Sequence, residues 1–217
     1  MENKKISQKN KHKFIIIIRH GEVDNPKRIV YNRDNLMKKE DIIHLSEKGK
    51  KQLFKLGLKL KNLKIKPIYL WVSPEIRAIE SAKELRKSLN LPIEIKDELD
   101  EVKADGPYLA GIKINQWEKT GNPYDEKIWQ KYQHENPGLV VLRMSDIFWQ
   151  MAEKLKRGQA GILLSHGDPI CWLVNYLIFW QIPDYPAAKK NFNPKKGEAI
   201  ILILDKNNKI LSYSLLT

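Results

Sequence analysis

Phe14-Ile15-Ile16-Ile17-Ile18-Arg19-His20-Gly21-Glu22 passes abruptly from five apolar residues, four of them β-branched, to a cation, an imidazole, a glycine and a carboxylate. A short β-branched run bounded by polar residues and glycine reads as a strand buried on both faces, the form taken by strands of a parallel sheet. In an open α/β sheet, ligands lie in the crevice beyond the carboxyl ends of the strands. Arg19 and His20 therefore fall where such a sheet does its chemistry. A second stretch has the same form, with Ala160-Gly161-Ile162-Leu163-Leu164 running into Ser165-His166-Gly167-Asp168-Pro169. Two His-Gly pairs, each closing an apolar run, are far more specific than either alone.

Working outward, strand and helix signals alternate. Val23 to Leu45 is a long loop holding Asn25 and Pro26, and a long connection directly after the first His-Gly points to function. Ser46 reads as an N-cap, and Leu53, Leu56, Leu60 and Leu63 keep helical spacing. Ile68 to Val72 is the next strand. Ser73-Pro74 then reads as an N-cap with a first-turn proline, opening a helix to about Ser88 that carries Arg77 near its first turn. Leu91 to Ile95 is a short strand. It is followed by Asp97-Glu98-Leu99-Asp100-Glu101, of whose carboxylates three read as solvated. Residues 103–137 are irregular and rich in Gly, Pro and aromatics, and read as a cap inserted over the crevice. Gly138 to Arg157 is an amphipathic helix, and a buried helix from Asp168-Pro169 to about Trp180 carries Trp172, Tyr176, Phe179 and Trp180 as core. Ala199 to Leu204 and Lys209 to Leu215 close the chain as a hairpin around Asp205-Lys206-Asn207-Asn208. The expectation is an α/β three-layer sandwich: a mostly parallel sheet with helices on both faces and the cap over its carboxyl edge.

Composition bounds the setting. The chain has 217 residues, 42% of them hydrophobic, enough for one domain, expected over 14–217 behind a disordered basic tail at 1–13. The net charge of +13 suits anionic partners. The lone Cys171 excludes an internal disulfide and fits a small core side chain in a reducing compartment. The residues before Phe14 lack the form of a signal peptide, and the longest apolar stretch, Ile170 to Ile182, is interrupted by Asn175 and Gln181 and too short for a bilayer. A cytoplasmic protein without a membrane partner is the expectation.

The residues at the sheet's carboxyl edge share a chemistry. Arg19, His20, Arg77, His166 and the backbone N–H groups after two strands form a cationic set suited to charge on a phosphoryl group. A helix N-terminus already favours anions, and an arginine's planar fork donates two bonds to phosphate where lysine presents a point charge. One imidazole can attack phosphorus and carry it covalently, nearby arginines disfavour its protonated form, and the other imidazole can neutralise equatorial oxygens. A carboxylic acid from the acidic run can protonate the leaving alcohol.

Arg19-His20-Gly21-Glu22, Leu45-Ser46-Glu47-Lys48-Gly49, Ser73-Pro74-Glu75-Ile76-Arg77-Ala78 with Ser81-Ala82, and Ser165-His166-Gly167 together resemble the histidine phosphatase superfamily, the phosphoglycerate-mutase-like proteins, from Phe14 to Leu204 in the family's order. The resemblance implies that His20 becomes phosphohistidine, that Arg19, Arg77 and His166 form its phosphate pocket with Asn25 and Gly167 as further contacts, and that no metal or organic cofactor takes part. Leu99-Asp100-Glu101 matches the family's Leu-x-Glu, which favours Glu101 as the acid. Departures are Val23, where the family often has Ser or Thr, and Lys103-Ala104-Asp105-Gly106-Pro107-Tyr108, where it commonly has Gly-x-Trp-Glu-Gly. Glu22 reads as a structural partner for nearby cations. The expected reaction is metal-independent hydrolysis of a small phosphorylated metabolite. A mutase would use the same residues to return the phosphoryl group to a second hydroxyl. A metallohydrolase built on His20, Glu22, His166 and Asp168 lacks tight ligand spacing, and a nucleic-acid-binding protein lacks a binding motif and leaves the two His-Gly strand ends unexplained.

Overall fold

A computed structural model describes residues 11–31, 33–34, 37–63, 65–103, 112–119, 125 and 133–216. Its elements run β1 (Lys13–Arg19), α1 (Glu47–Asn62), β2 (Lys66–Val72), α2 (Ile76–Leu89), β3 (Ile93–Ile95), α3 (Ile114–Glu118), α4 (Pro137–Lys154), β4 (Gln159–Ser165), α5 (Gly167–Phe179), α6 (Tyr185–Asn191), β5 (Ala199–Leu204) and β6 (Ile210–Leu216), with 3-10 turns at Lys39–Asp41 and Asp97–Leu99. The six strands form one mixed, mostly parallel sheet in the order β3-β2-β4-β1-β5-β6. β1, β2, β3 and β4 are parallel, and β5 and β6 join antiparallel at one side.

The period-2 alternation of β1 divides the core. Ile15 and Ile17 pack with Trp71, Leu163 and Ile200 against Met144, Phe148 and Met151 of α4 and Trp172 and Leu173 of α5. Ile16 and Ile18 pack with Leu70, Val72 and Ile162 against Leu53, Leu56 and Leu60 of α1 and Ala78, Ala82 and Leu85 of α2. The sheet thus lies between two helix layers, and the central strands β1 and β4 are buried on both faces, which is why they read as unbroken apolar runs.

Several expectations shift. The strand begins at Lys13, whose ammonium is buried against Ala152 O and Asn208 Oδ1 at 2.8 and 2.7 Å, so the basic stretch expected at 1–13 supplies the first residue of the sheet. Residues 1–10 lie outside the described residues, and so does most of the expected 103–137 cap. Phe179 and Trp180 were expected in the core and are exposed, with Trp180 ending α5 in the left-handed region at φ 55°. Ser46 does cap α1, accepting from Gly49 N at 3.1 Å. Among the described residues no helix is long and apolar enough to cross a membrane.

Candidate active site

The strand register brings the two His-Gly pairs side by side. β1 and β4 are adjacent and parallel with Arg19 opposite Ser165, so His20 and His166 leave the sheet together. His20 N–H donates to Ser165 O at 3.0 Å, and the two rings lie 5.2 Å apart between centroids. The backbone turn at Gly21 has no room for a side chain. A Cβ there would come within 2.5 Å of Leu53 Cδ2 and 2.9 Å of Gly49 O, and one on Gly49 would strike Glu22 O. These two glycines let α1 press directly on the chain after β1. Gly197, at φ 77°, closes the other side by donating to Arg19 O and His20 O.

The tautomer of His20 follows from one bond. Its Nδ1 lies 2.8 Å from Gly21 O, and a carbonyl can only accept, so Nδ1 carries the proton and Nε2 keeps the lone pair. Burial, then the positive charge of Arg77, hold the His20 pKa well below its ordinary value, so the ring is neutral at pH 7. His166, fully buried, is held down in the same way by burial and Arg77. Its Nε2 lies 2.7 Å from the Ser73 hydroxyl, and its Nδ1, which has no hydrogen-bond partner among the described residues, faces Glu101 Oε2 at 3.6 Å.

The arginines come from different elements. Arg19, at the end of β1, donates from one terminal nitrogen to Pro194 O at 2.9 Å. Its guanidinium lies over the first residue of α5, where a Cβ on Gly167 would sit 2.7 Å from Cζ. Arg77 is fully buried in the first turn of α2, 3.3 Å from Glu75 Oε2, 3.8 Å from Asp34 Oδ1 and 3.9 Å from Glu101 Oε2. The Tyr31 ring stacks on it at 5.0 Å.

The start of α2 corrects the sequence reading. Ser73 was expected to cap this helix with Pro74 in its first turn. The helix begins at Ile76 instead, and Ile76 N–H donates to Asp34 Oδ2 at 2.5 Å. The return bond runs from Asp34 N–H to Glu75 Oε2 at 2.7 Å. The long loop therefore supplies the cap at Ile76, while the Ser73 hydroxyl accepts from Glu75 N–H at 3.3 Å and meets His166. Asp100, expected in solvent, is buried and paired with Arg33 Nε at 3.1 Å.

Glu101 follows this buried neighbour. Its Oε1 accepts from Val102 N–H at 3.0 Å, while Oε2 faces Arg77 and His166. Burial, reinforced by the charge of Asp168 and opposed by Arg77, raises its pKa to about 7. Asp97 is exposed and Glu98 half-buried. Of the sequence candidates, His20, His166, Arg19, Gly167, Arg77 and Glu101 converge. The Asn25 carboxamide is engaged with its own loop, donating to Ile29 O at 2.8 Å and accepting from Ile29 N–H at 3.1 Å. The metallohydrolase quartet does not assemble, since Glu22 pairs with Lys196 at 2.8 Å and Asp168 accepts from the Tyr185 hydroxyl at 3.0 Å. Among the described residues no three His, Cys, Asp or Glu side chains are placed to hold a metal ion.

Known proteins share this fold. A family model described as the histidine phosphatase superfamily (branch 1) matches residues 15–202. Phosphoglycerate mutase 1 of Saccharomyces cerevisiae is 25% identical over 233 residues, covering 90% of this chain and 88% of that protein. A mycobacterial glucosyl-3-phosphoglycerate phosphatase in complex with inorganic phosphate has the same fold, with a TM-score of 0.69 at 17% identity over 94% of this chain and 95% of that one. A putative alpha-ribazole-5'-P phosphatase from Escherichia coli scores 0.68 at 19% identity over 94% and 96% of the two chains.

Proposed function

The chain belongs to the histidine phosphatase superfamily, and from that premise we propose that it hydrolyses the phosphate monoester of a small metabolite through a phosphohistidine at His20, with no metal or organic cofactor. The observation that carries the reading is the bond from His20 Nδ1–H to Gly21 O, which leaves Nε2 as the nucleophilic nitrogen of a neutral, buried ring. In the first step Nε2 attacks phosphorus and the bond to the leaving oxygen breaks. Arg19, Arg77 and the N–H groups at the start of α5 supply the positive charge around the equatorial oxygens. The negative charge of the arriving phosphate opposes that of Arg77, so His166 can take a proton from solvent or from a monoanionic substrate and hold it against the phosphate oxygens. Glu101, with a pKa near the working pH, gives its proton to the leaving alcohol. In the second step the Glu101 carboxylate takes a proton from water, the water oxygen attacks phosphorus, the P–N bond breaks and inorganic phosphate leaves.

Likeness to a yeast phosphoglycerate mutase favours a second reading, in which the phosphoryl group returns to another hydroxyl of the substrate. Phosphorus NMR of the products separates the two: hydrolysis releases inorganic phosphate, and transfer gives an isomeric ester. The test of the common step is a rapid quench with phosphorus-labelled substrate after exhaustive chelation. The wild-type protein should trap an acid-labile, alkali-stable adduct, and His20→Ala should trap none. Label that survives His20→Ala places the nucleophile elsewhere, and activity lost to chelation and restored by one divalent ion overturns the metal-free mechanism.

A further inference from the structure

Arg143 lies in the second turn of α4, and its sequence surroundings give no sign of a role in the site. Its guanidinium has five N–H donors, and all of them are engaged. Nε and one Nη2 hydrogen form a fork on the Glu135 carboxylate at 2.7 and 2.8 Å. Nη1 donates to Glu98 O at 2.7 Å and Asp100 O at 2.9 Å, and Nη2 to Glu101 O at 3.1 Å. Glu135 in turn accepts from Lys103 N–H at 3.1 Å and donates its own N–H to Lys103 O at 2.5 Å. One side chain thus gathers three carbonyls of the segment Glu98 to Glu101, and its carboxylate partner fixes the residue two places further on. Among the described residues the Glu101 side chain makes one hydrogen bond, accepting from the adjacent Val102 N–H, with Arg77 and His166 at the longer distances of 3.9 and 3.6 Å. Its position is set by the backbone that Arg143 holds.

We propose that Arg143, locked by Glu135, is the positioning residue for the acid Glu101, fixing the backbone of Glu98 to Glu101 so that the carboxyl group meets the leaving oxygen. This rests on the reading of Glu101 as the acid. A lysine at 143 keeps the charge and cannot make the fork and the three carbonyl bonds together. An acid displaced by about 1 Å loses much of the roughly 10²–10⁴-fold that proton donation supplies.

The test compares an alkyl phosphate with p-nitrophenyl phosphate, whose leaving group departs as an anion, in Arg143→Lys, Glu101→Gln and the double variant. Arg143→Lys should lower kcat for the alkyl phosphate by about 10–100-fold, leave its KM within about threefold and change p-nitrophenyl phosphate turnover by less than about threefold. The double variant should match Glu101→Gln within about twofold, since the two residues act as one unit. If Arg143→Lys slows both substrates equally, or its loss multiplies with that of Glu101→Gln, the inference is wrong while the acid assignment stands. If Glu101→Gln itself spares the alkyl phosphate, the acid assignment fails and the inference falls with it. Should Arg143→Lys not fold by circular dichroism, Glu135→Gln, which loses one bond of the fork, should show the same substrate-selective loss in smaller measure. Equal loss on both substrates in that variant overturns the inference as well.

Discussion

Gly167→Ala separates stability from activity. An added Cβ would lie 2.7 Å from Arg19 Cζ, 2.8 Å from a terminal nitrogen and 3.0 Å from Nε. Ordinary contact between such atoms is about 3.5–4.0 Å, so the guanidinium must retreat by about 1 Å. Arginine's flexible stem allows that movement cheaply, and alanine suits a helix better than glycine by about 0.5–1 kcal/mol. Thermal unfolding should therefore be unchanged or slightly later. The retreat strains the bond from Arg19 to Pro194 O and takes one cation out of register with phosphorus, an error of the size that costs about 10²-fold. The assay is kcat/KM on p-nitrophenyl phosphate, which reports phosphoryl transfer without demanding the acid, alongside a melting curve. Loss of activity with Tm unchanged supports the geometry. Activity within about threefold of wild type would show that Arg19 does not set the rate from this position, and a fall of both together would point to damage of α5 instead.

Two further outcomes follow from the same geometry. With Glu101 titrating at about 7, alkyl phosphate turnover should fall as pH rises through that value, and Glu101→Gln should lack this limb. Because its folded pKa lies above the ordinary carboxyl value of 4.5, the folded protein holds a proton that the unfolded chain releases, so this group weakens folding as pH rises from 4.5 to about 7. The melting temperature of Glu101→Gln should accordingly gain on wild type across that window, and a constant gap between the two curves contradicts the shift. Asp34→Ala removes the cap of α2 and should cost about 1 kcal/mol, or about 2–4 °C in Tm, with Asp34→Asn retaining most of it; equal melting in all three proteins would show the cap to be inert.

The sheet was legible because it is buried on both faces. The central parallel strands β1 and β4 write themselves as apolar runs, and their ends are marked where the run meets a polar residue, as at Arg19 and Ser165. Strand order was not legible from either run alone, since nothing local in Phe14 to Arg19 specifies pairing with Ala160 to Ser165, and only the repetition of His-Gly hinted at it. The reading failed where a local rule had a distant competitor. Ser73-Pro74 satisfies the pattern of an N-cap, but the cap comes from Asp34 and the serine serves a histidine far along the chain. Asp100 resembles its solvated neighbours until Arg33 folds over it. Arg143 is one more arginine on an amphipathic helix, and its partners, except for Glu135, lie 42 to 45 residues away. The length of the Val23 to Leu45 loop was the one usable signal for Arg33 and Asp34.

The carboxylates around Arg77 bear on why the pocket can attract phosphate at all. Asp34, Glu75, Asp100 and Glu101 lie close around Arg77 and Arg33, and with all four ionised their charge would exceed that of the two arginines. Burial changes the balance. It raises Glu75, with Asp100 and Asp34 reinforcing the shift against the pull of Arg77, and it raises Glu101 with help from Asp168. Asp34 and Asp100 each accept a backbone N–H, from Ile76 and from Glu101, and Asp100 is further matched by Arg33. Near neutral pH, therefore, Glu75 and Glu101 tend to hold protons. Arg77 keeps Glu75, Asp34 and Glu101 beside it, while protons on Glu75 and Glu101 reduce the charge that opposes it. The same proton on Glu101 that spares Arg77 is the one the leaving oxygen requires, so phosphate affinity and acid catalysis should weaken together as pH rises through about 7.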